Sequence, residues 1–192
     1  MKKLRILLIT FFMANALLIY AQKADIQAFN FNRIETNKKA MLILGSWALV
    51  NIGVSGIRAQ NTEGVSKGFH QMNVGWNAFN LSLAAFGYYG AFKENAASID
   101  GFNTINEHYK LQKIFLINTG LDVAYAAGGA WLIERSKTSE KRDQLKGFGQ
   151  AVIVNGAFLF VFDIANFLIH NAHNDKIKML LKGDGVGLSY HF

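Results

Sequence analysis

The chain contains no cysteine. Disulfide scaffolds, thiol redox chemistry and cysteine-ligated zinc or iron–sulfur centres are therefore excluded. It also contains no proline, which argues against Pro-rich linkers, polyproline ligands and proline-broken transport helices. Charge is scarce as well: 17% of the 192 residues are Asp, Glu, Lys or Arg, against 51% apolar, where a soluble domain carries roughly a quarter charged residues. The formal net charge of +7 forms no basic stripe. Lys2, Lys3 and Arg5 cluster at the start and the other basic residues sit at the ends of apolar segments, so the charge reads as juxtamembrane and nucleic acid is not an expected partner.

What is present begins with an export signal. Residues 1–21 carry a basic start, an apolar stretch from Ile6 through Phe11 and Phe12 to Ile19, and a small residue, Ala21, at a plausible cleavage point before Gln22. An uncleaved anchor is the alternative reading, and either way residue 23 emerges on the outer side. Four uncharged or nearly uncharged runs follow. Between Lys39 and Arg58 lie 18 residues without charge, and between Lys67 and Lys93 lie 25. Asp122 alone interrupts the run after Lys113, and Asp163 alone the run after Lys146. A span of a ~30 Å hydrocarbon core needs about 20 residues, and a soluble bundle would show charge on every outward turn.

The expected fold is accordingly all-α: a four-transmembrane-helix bundle after the N-terminal signal peptide, with spans at about 40–57, 68–92, 114–133 and 147–173. The bilayer is the first expected partner. Residues 22–39 are read as an outer-face interfacial segment, with a short helix over 24–35 before Thr36 caps the first span. The tail, 174–192, is also outside, and its residues 178–192 read as two short strands around a Gly-Asp-Gly turn. Arg135, Lys137, Lys141, Arg142 and Lys146 crowd one short loop. Basic density in short loops marks the inner side, which puts both mature ends outside a cytoplasmic (inner) membrane.

The chain also repeats itself. Lys67-Gly68-Phe69-His70-Gln71 and Asn77-Ala78-Phe79 return, 79 positions later, as Lys146-Gly147-Phe148-Gly149-Gln150 and Gly156-Ala157-Phe158. Two tandem helical hairpins of like orientation would be related by a pseudo-two-fold axis along the membrane normal. On the third span Gly120, Ala124 and Gly128 form a small-xxx-small stripe, which favours close helix packing.

Polar residues mark one face of each span. Asn73, Trp76, Asn77 and Asn80 recur at i, i+3, i+4, i+7. Asn118, Asp122 and Tyr125 do the same on the third span, Asn155, Asp163, Asn166 and His170 lie close to one face of the fourth, and the first offers Trp47 and Asn51. Lipid-exposed amides and carboxylates would be unsatisfied, so these faces should meet inside. Counting ~1.5 Å per residue from the inner ends groups Asn51, Asn77, Tyr125 and Asn155 in one layer, then Asn80 and Asp122, then Asn118 and Asp163, with Asn166 and His170 outermost. Asp122 and Asp163 have no Lys or Arg within the spans to pair with.

No catalytic, cofactor-binding or metal site is expected. Phosphate loops, serine triads and zinc spacings are missing. Of the histidines, His108, His170 and His173 fall together at the outer face. His170 and His173 lie near a helix end and His108 on a loop, a poor basis for a metal site, and paired intramembrane histidines for haem are lacking. The leading expectation is a non-enzymatic subunit or scaffold of a cell-envelope assembly, partnered by its own copies or another envelope protein. The rival is a transporter or channel moving protons, cations or a small polar solute along the Asn/Asp-lined interior.

The signal-like start, Gly45-Ser46-Trp47 with Asn51, the Asn73 to Asn80 stripe and the Gly-rich Tyr-His-Phe end resemble a family of small uncharacterised bacterial four-helix membrane proteins known as a domain of unknown function. The resemblance covers residues 24–192. It implies the fold and carries no activity.

Overall fold

The computed structural model describes residues 2–181. Within them the chain forms four long helices, α1 (Lys2–Gln60), α2 (Gly64–Lys93), α3 (Gly101–Ser136) and α4 (Arg142–Asn171), and a short α5 (Asn174–Leu181). A single 3-10 turn, Ala96–Ser98, lies between α2 and α3. Short connections make α1 and α2, and α3 and α4, antiparallel neighbours. The α1–α2 turn ends on Gly64 at φ +56°, a left-handed conformation that glycine adopts without a Cβ penalty. Asn95 caps the 3-10 turn through Ala97 N–H (3.0 Å), and Asp100 caps α3 through Asn103 N–H (2.8 Å).

Helix α1 packs along α2, α3 packs along α4, and the two hairpins are joined through α2 and α4. Glycines set how closely they approach. A Cβ on Gly147 would collide with the backbone of Val65, Gly68 and Phe69, while one on Gly68 would press on the backbone of Gln144 at 3.0 Å. Val65 and Gln144 are themselves 79 positions apart, so each repeat unit touches the other through equivalent residues. That reciprocity is what a local two-fold axis between α2 and α4 requires. Between α3 and α4 the contact is Gly129 against Gly149, where a Cβ on Gly129 would lie 2.7 Å from the Gly149 carbonyl oxygen.

The anticipated packing stripe is therefore elsewhere. Gly120 and Gly128 have nothing within 4 Å of a modest extension, and with Ala124 they lie on the exposed side of α3. Three further expectations change. Residues 24–35 are no separate interfacial helix, because α1 runs unbroken through Thr36 and buries Phe29, Asn30, Arg33 and Ile34. His108 is no loop residue but a fully helical, buried position of α3. Residues 174–181 are helical, where a strand was expected from Lys178 onward; the Gly-Asp-Gly turn lies outside the described residues.

Polarity is distributed inside out. The buried apolar cluster is small, centred on Ala40, Leu44, Ala84, Phe115, Leu159 and Phe162. Large apolar side chains face outward on all four long helices, among them Val50, Phe86, Leu116 and Val161. Two helical stretches, Tyr20–Gln60 and Arg142–Lys178, are long and apolar enough to cross a membrane by length and composition. Helices α2 and α3 have the length, but their buried faces are rich in Asn, Thr and Gly.

Candidate functional site

Towards the end of the bundle that carries the α1–α2 and α3–α4 turns lies an amide network built on i, i+4 spacing. Asn51, Asn77 and Asn155 each donate to the backbone carbonyl four residues earlier, at 2.9 Å in every case. Their remaining capacity goes across helices. Asn73 Nδ2 donates to Asn51 Oδ1 and Ser55 Oγ, both at 2.8 Å, tying α2 to α1. Asn77 Nδ2 donates to Asn155 Oδ1 (2.9 Å), and Asn155 Nδ2 donates to Asn73 Oδ1 (2.7 Å), tying α2 to α4. Asn77 and Asn155 are completely buried. Such a network fixes the register of three helices, because a shifted helix would leave amides unpaired in an apolar surrounding. Trp47 sits beside it, stacked on Phe158 with ring centroids 3.9 Å apart.

Above this network the four long helices line a cavity of about 680 Å³. Its walls are largely apolar, from residues such as Met41, Leu83 and Phe162, and its polar groups are Asn37, Asn80, Asn118, Tyr125, Asp122 and Asp163, with the Trp76 indole. The carboxyls of Asp122 and Asp163 lie close enough to interact with each other, and Asn118 lies beside Asp163. Trp76 and Tyr125 meet edge to face at 5.0 Å. Trp76 Nε1, Asn80 Nδ2 and Asp122 Oδ2 are buried without a hydrogen-bond partner. The cavity thus offers two donors and one acceptor within an otherwise apolar enclosure.

The opposite end of the bundle holds a second polar cluster. Asn166 donates to the Phe162 carbonyl at 2.7 Å, a bond within α4. His170 is buried, stacked on Phe115, with its ring 6.2 Å from that of His108. His108 Nε2 hydrogen-bonds Asn174 Oδ1 (2.8 Å), and Gln112 Nε2 donates to the same oxygen at 2.7 Å. On α1, Asn30 donates to Thr104 Oγ1 (2.7 Å) and Arg33 pairs with Glu94 (2.6 Å). Burial pushes the His108 imidazole below its ordinary value; the hydrogen bond to Asn174 opposes this, and the nearby His173 and Arg33 charges add to it. Among the described residues no three His, Asp or Glu side chains are grouped to hold a metal ion.

A family of unknown function, DUF6992, matches residues 43–164. The chain belongs to this family. No curated protein and no solved structure matches it. The DUF6992 stretch takes in the whole amide network and every polar lining residue of the cavity except Asn37. It ends before Asn166 and His170 and begins after Asn30 and Arg33.

All thirteen side chains singled out from the sequence line the interior or its edges, in three clusters instead of one continuous column: Trp47, Asn51, Asn73, Asn77 and Asn155 at the amide network, Trp76, Asn80, Asn118, Asp122, Tyr125 and Asp163 at the cavity, Asn166 and His170 at the opposite end. Missed were Ser55, Asn30, Arg33, Thr104, Gln112 and Asn174, while His108 was grouped with His170 but placed on a loop. A signal for part of this was available. Thr104, His108, Gln112, Phe115, Thr119 and Asp122 recur at steps of three and four and form one buried face of α3.

Proposed function

We propose that this DUF6992 chain is an integral membrane protein of the cytoplasmic membrane, crossing it four times with residues 1–21 as its export signal and both mature ends outside. The observation that carries the reading is the inside-out distribution: Asn77, Asn155, Asp122 and Asp163 are buried while Phe79, Phe86, Leu116 and Val161 are exposed. In water such a surface would drive aggregation. In lipid it is matched to its solvent, and each inward polar group avoids an exposure cost that for Asp is about 2.5–3.5 kcal/mol at mid-membrane.

Within that membrane the chain acts as a non-enzymatic subunit or scaffold of an envelope assembly. Its inner amides are consumed in holding the helices together, and among the described residues no nucleophile, base and oxyanion group are assembled. The outward stripe Gly120, Ala124, Gly128 is exposed, its glycines with open space around them among the described residues, and fits a helix of a second subunit, since small residues let membrane helices approach closely. Ala124→Cys in this cysteine-free chain tests it. A disulfide-linked dimer, or a crosslink to one co-purifying envelope protein, is expected after mild extraction; a lone monomer in several detergents and in lipid would overturn the subunit reading.

One observation favours a second reading: Asp122 and Asp163 line one cavity side by side. Buried membrane carboxyls often mark ion or proton paths. Transport predicts that Asp122→Asn and Asp163→Asn give folded but inactive protein in reconstituted vesicles. Absence of proton, cation or osmolyte flux in the unaltered protein would rule it out.

A further inference from the structure

A second cavity, of about 230 Å³, opens at the outer end of the bundle and is lined by Arg33, Lys39, His108, His170, His173 and Lys176, together with Glu35. Three of these are buried to more than nine-tenths: Arg33 is 4% exposed, His108 1% and His170 2%. Each has a buried ring or guanidinium nitrogen with no partner, namely Arg33 Nε, His108 Nδ1 and His170 Nε2. An arginine Nε–H can only donate, and leaving a charged donor unsatisfied in a buried place is costly. Arg33 cannot turn to Glu94 for this, since that bond uses Nη2.

The charge on the cavity wall identifies what the missing acceptor carries. Glu35 is already engaged by Lys38 at 2.8 Å. Lys39 and Lys176 are exposed and take part in no ion pair among the described residues. Cationic groups therefore outnumber the unengaged acids, which repels a metal ion and attracts an anion. The donors come from α1, α3, α4 and α5, so they converge from several directions. A tetrahedral oxyanion has oxygens to meet them, whereas a planar carboxylate presents only one edge.

We propose that this cavity binds a phosphate group, either free phosphate or the phosphomonoester headgroup of a lipid. Arg33 Nε and the two imidazoles hold the oxygens, His108 through the tautomer in which its Nε2 accepts from Gln112 Nε2 (2.7 Å) and its Nδ1 carries the hydrogen, and Lys39 and Lys176 close over them from the rim. The site itself does not depend on the bilayer reading; only the lipid source does.

The test uses the full chain purified in neutral detergent. Inorganic phosphate is titrated against chloride at equal ionic strength, and the same protein is placed in phosphatidylcholine nanodiscs with and without phosphatidic acid. Binding of phosphate with no preference for phosphatidic acid identifies free phosphate as the ligand; selective retention of phosphatidic acid identifies the headgroup. In either case the imidazole nitrogen resonances of His108 and His170 should move, and the double variant Lys39→Gln/Lys176→Gln should bind about tenfold more weakly with unchanged melting in the absence of ligand. Arg33→Lys, which keeps a cation for Glu94 but loses the Nε–H, should weaken binding as well. If neither probe binds, or if the double variant binds as well as the unaltered chain, the site is refuted; this holds even should Arg33→Lys fail to fold.

Discussion

Gly147→Ala is expected to loosen the joint between the two hairpins. A Cβ at this position falls 2.8 Å from the Gly68 carbonyl carbon and closer still to Val65 O and Phe69 N. Ordinary contact begins near 3.4 Å, and all three neighbours are backbone atoms of α2, so no side chain can turn away. The helices must separate instead. Overpacking of this kind costs about 1–3 kcal/mol. Separation also stretches the Asn77–Asn155 bond of 2.9 Å in the same α2–α4 interface, a loss of about 0.6 kcal/mol for an interhelical membrane hydrogen bond. Alanine's better helix propensity returns at most about 1 kcal/mol. The net expectation is a destabilisation of about 1–3 kcal/mol. Gly120→Ala and Gly128→Ala, with open space around the new methyl, should leave the monomer unchanged or more stable by up to about 1 kcal/mol. Unfolding midpoints in mixed detergent micelles, measured at a dilution where the chain is monomeric, would compare the three. If Gly128→Ala were the damaging variant and Gly147→Ala harmless, the assignment of the tight crossing would be wrong.

Other substitutions probe the interior separately. Asn155→Ala removes both bonds that tie α4 to α2 through this side chain and should cost about 1–2 kcal/mol in the same unfolding assay. Asp122→Asn should be neutral or stabilising, since an amide is cheaper to bury than a carboxyl and can donate to Asp163; a loss beyond about 2 kcal/mol would point to a structural role the geometry does not supply. The depressed His108 value makes the unfolded chain bind a proton more readily than the folded one. Its contribution to stability is complete above the ordinary value of 6.5 and is lost as pH falls through 6.5 towards the folded value. His108→Gln should flatten that part of the curve, as read from unfolding midpoints against pH.

Much of the interior was legible because amides recur at helical spacing in otherwise apolar runs. Asn73, Asn77 and Asn80 cannot face outward without a penalty, so periodicity alone turned α2 inward on the correct side. Helix ends were less legible. Charged residues such as Arg33, Glu35 and Lys38 looked like the end of a span, yet charge limits where an apolar run stops and does not end a helix; α1 and α3 both continue well past it. Arg33 was lost from view for that reason, and His108 was placed on a loop. The small residues failed differently. Gly120, Ala124 and Gly128 make a smooth stripe, but smoothness on one helix does not say which neighbour it meets, and the close approaches fell to Gly129, Gly149, Gly68 and Gly147.

The membrane reading is tested most directly by thiol labelling, since the chain has no cysteine of its own and each introduced one is unique. Ala97→Cys lies in the α2–α3 connection, Glu140→Cys in the α3–α4 connection, and Phe86→Cys on the exposed apolar face of α2. With an impermeant maleimide on intact cells, Ala97→Cys should react at once, Glu140→Cys only after permeabilisation, and Phe86→Cys in neither condition. Labelling of Ala97→Cys and Glu140→Cys from the same side, or ready labelling of Phe86→Cys, would contradict a bundle that spans the bilayer with its polar groups turned in.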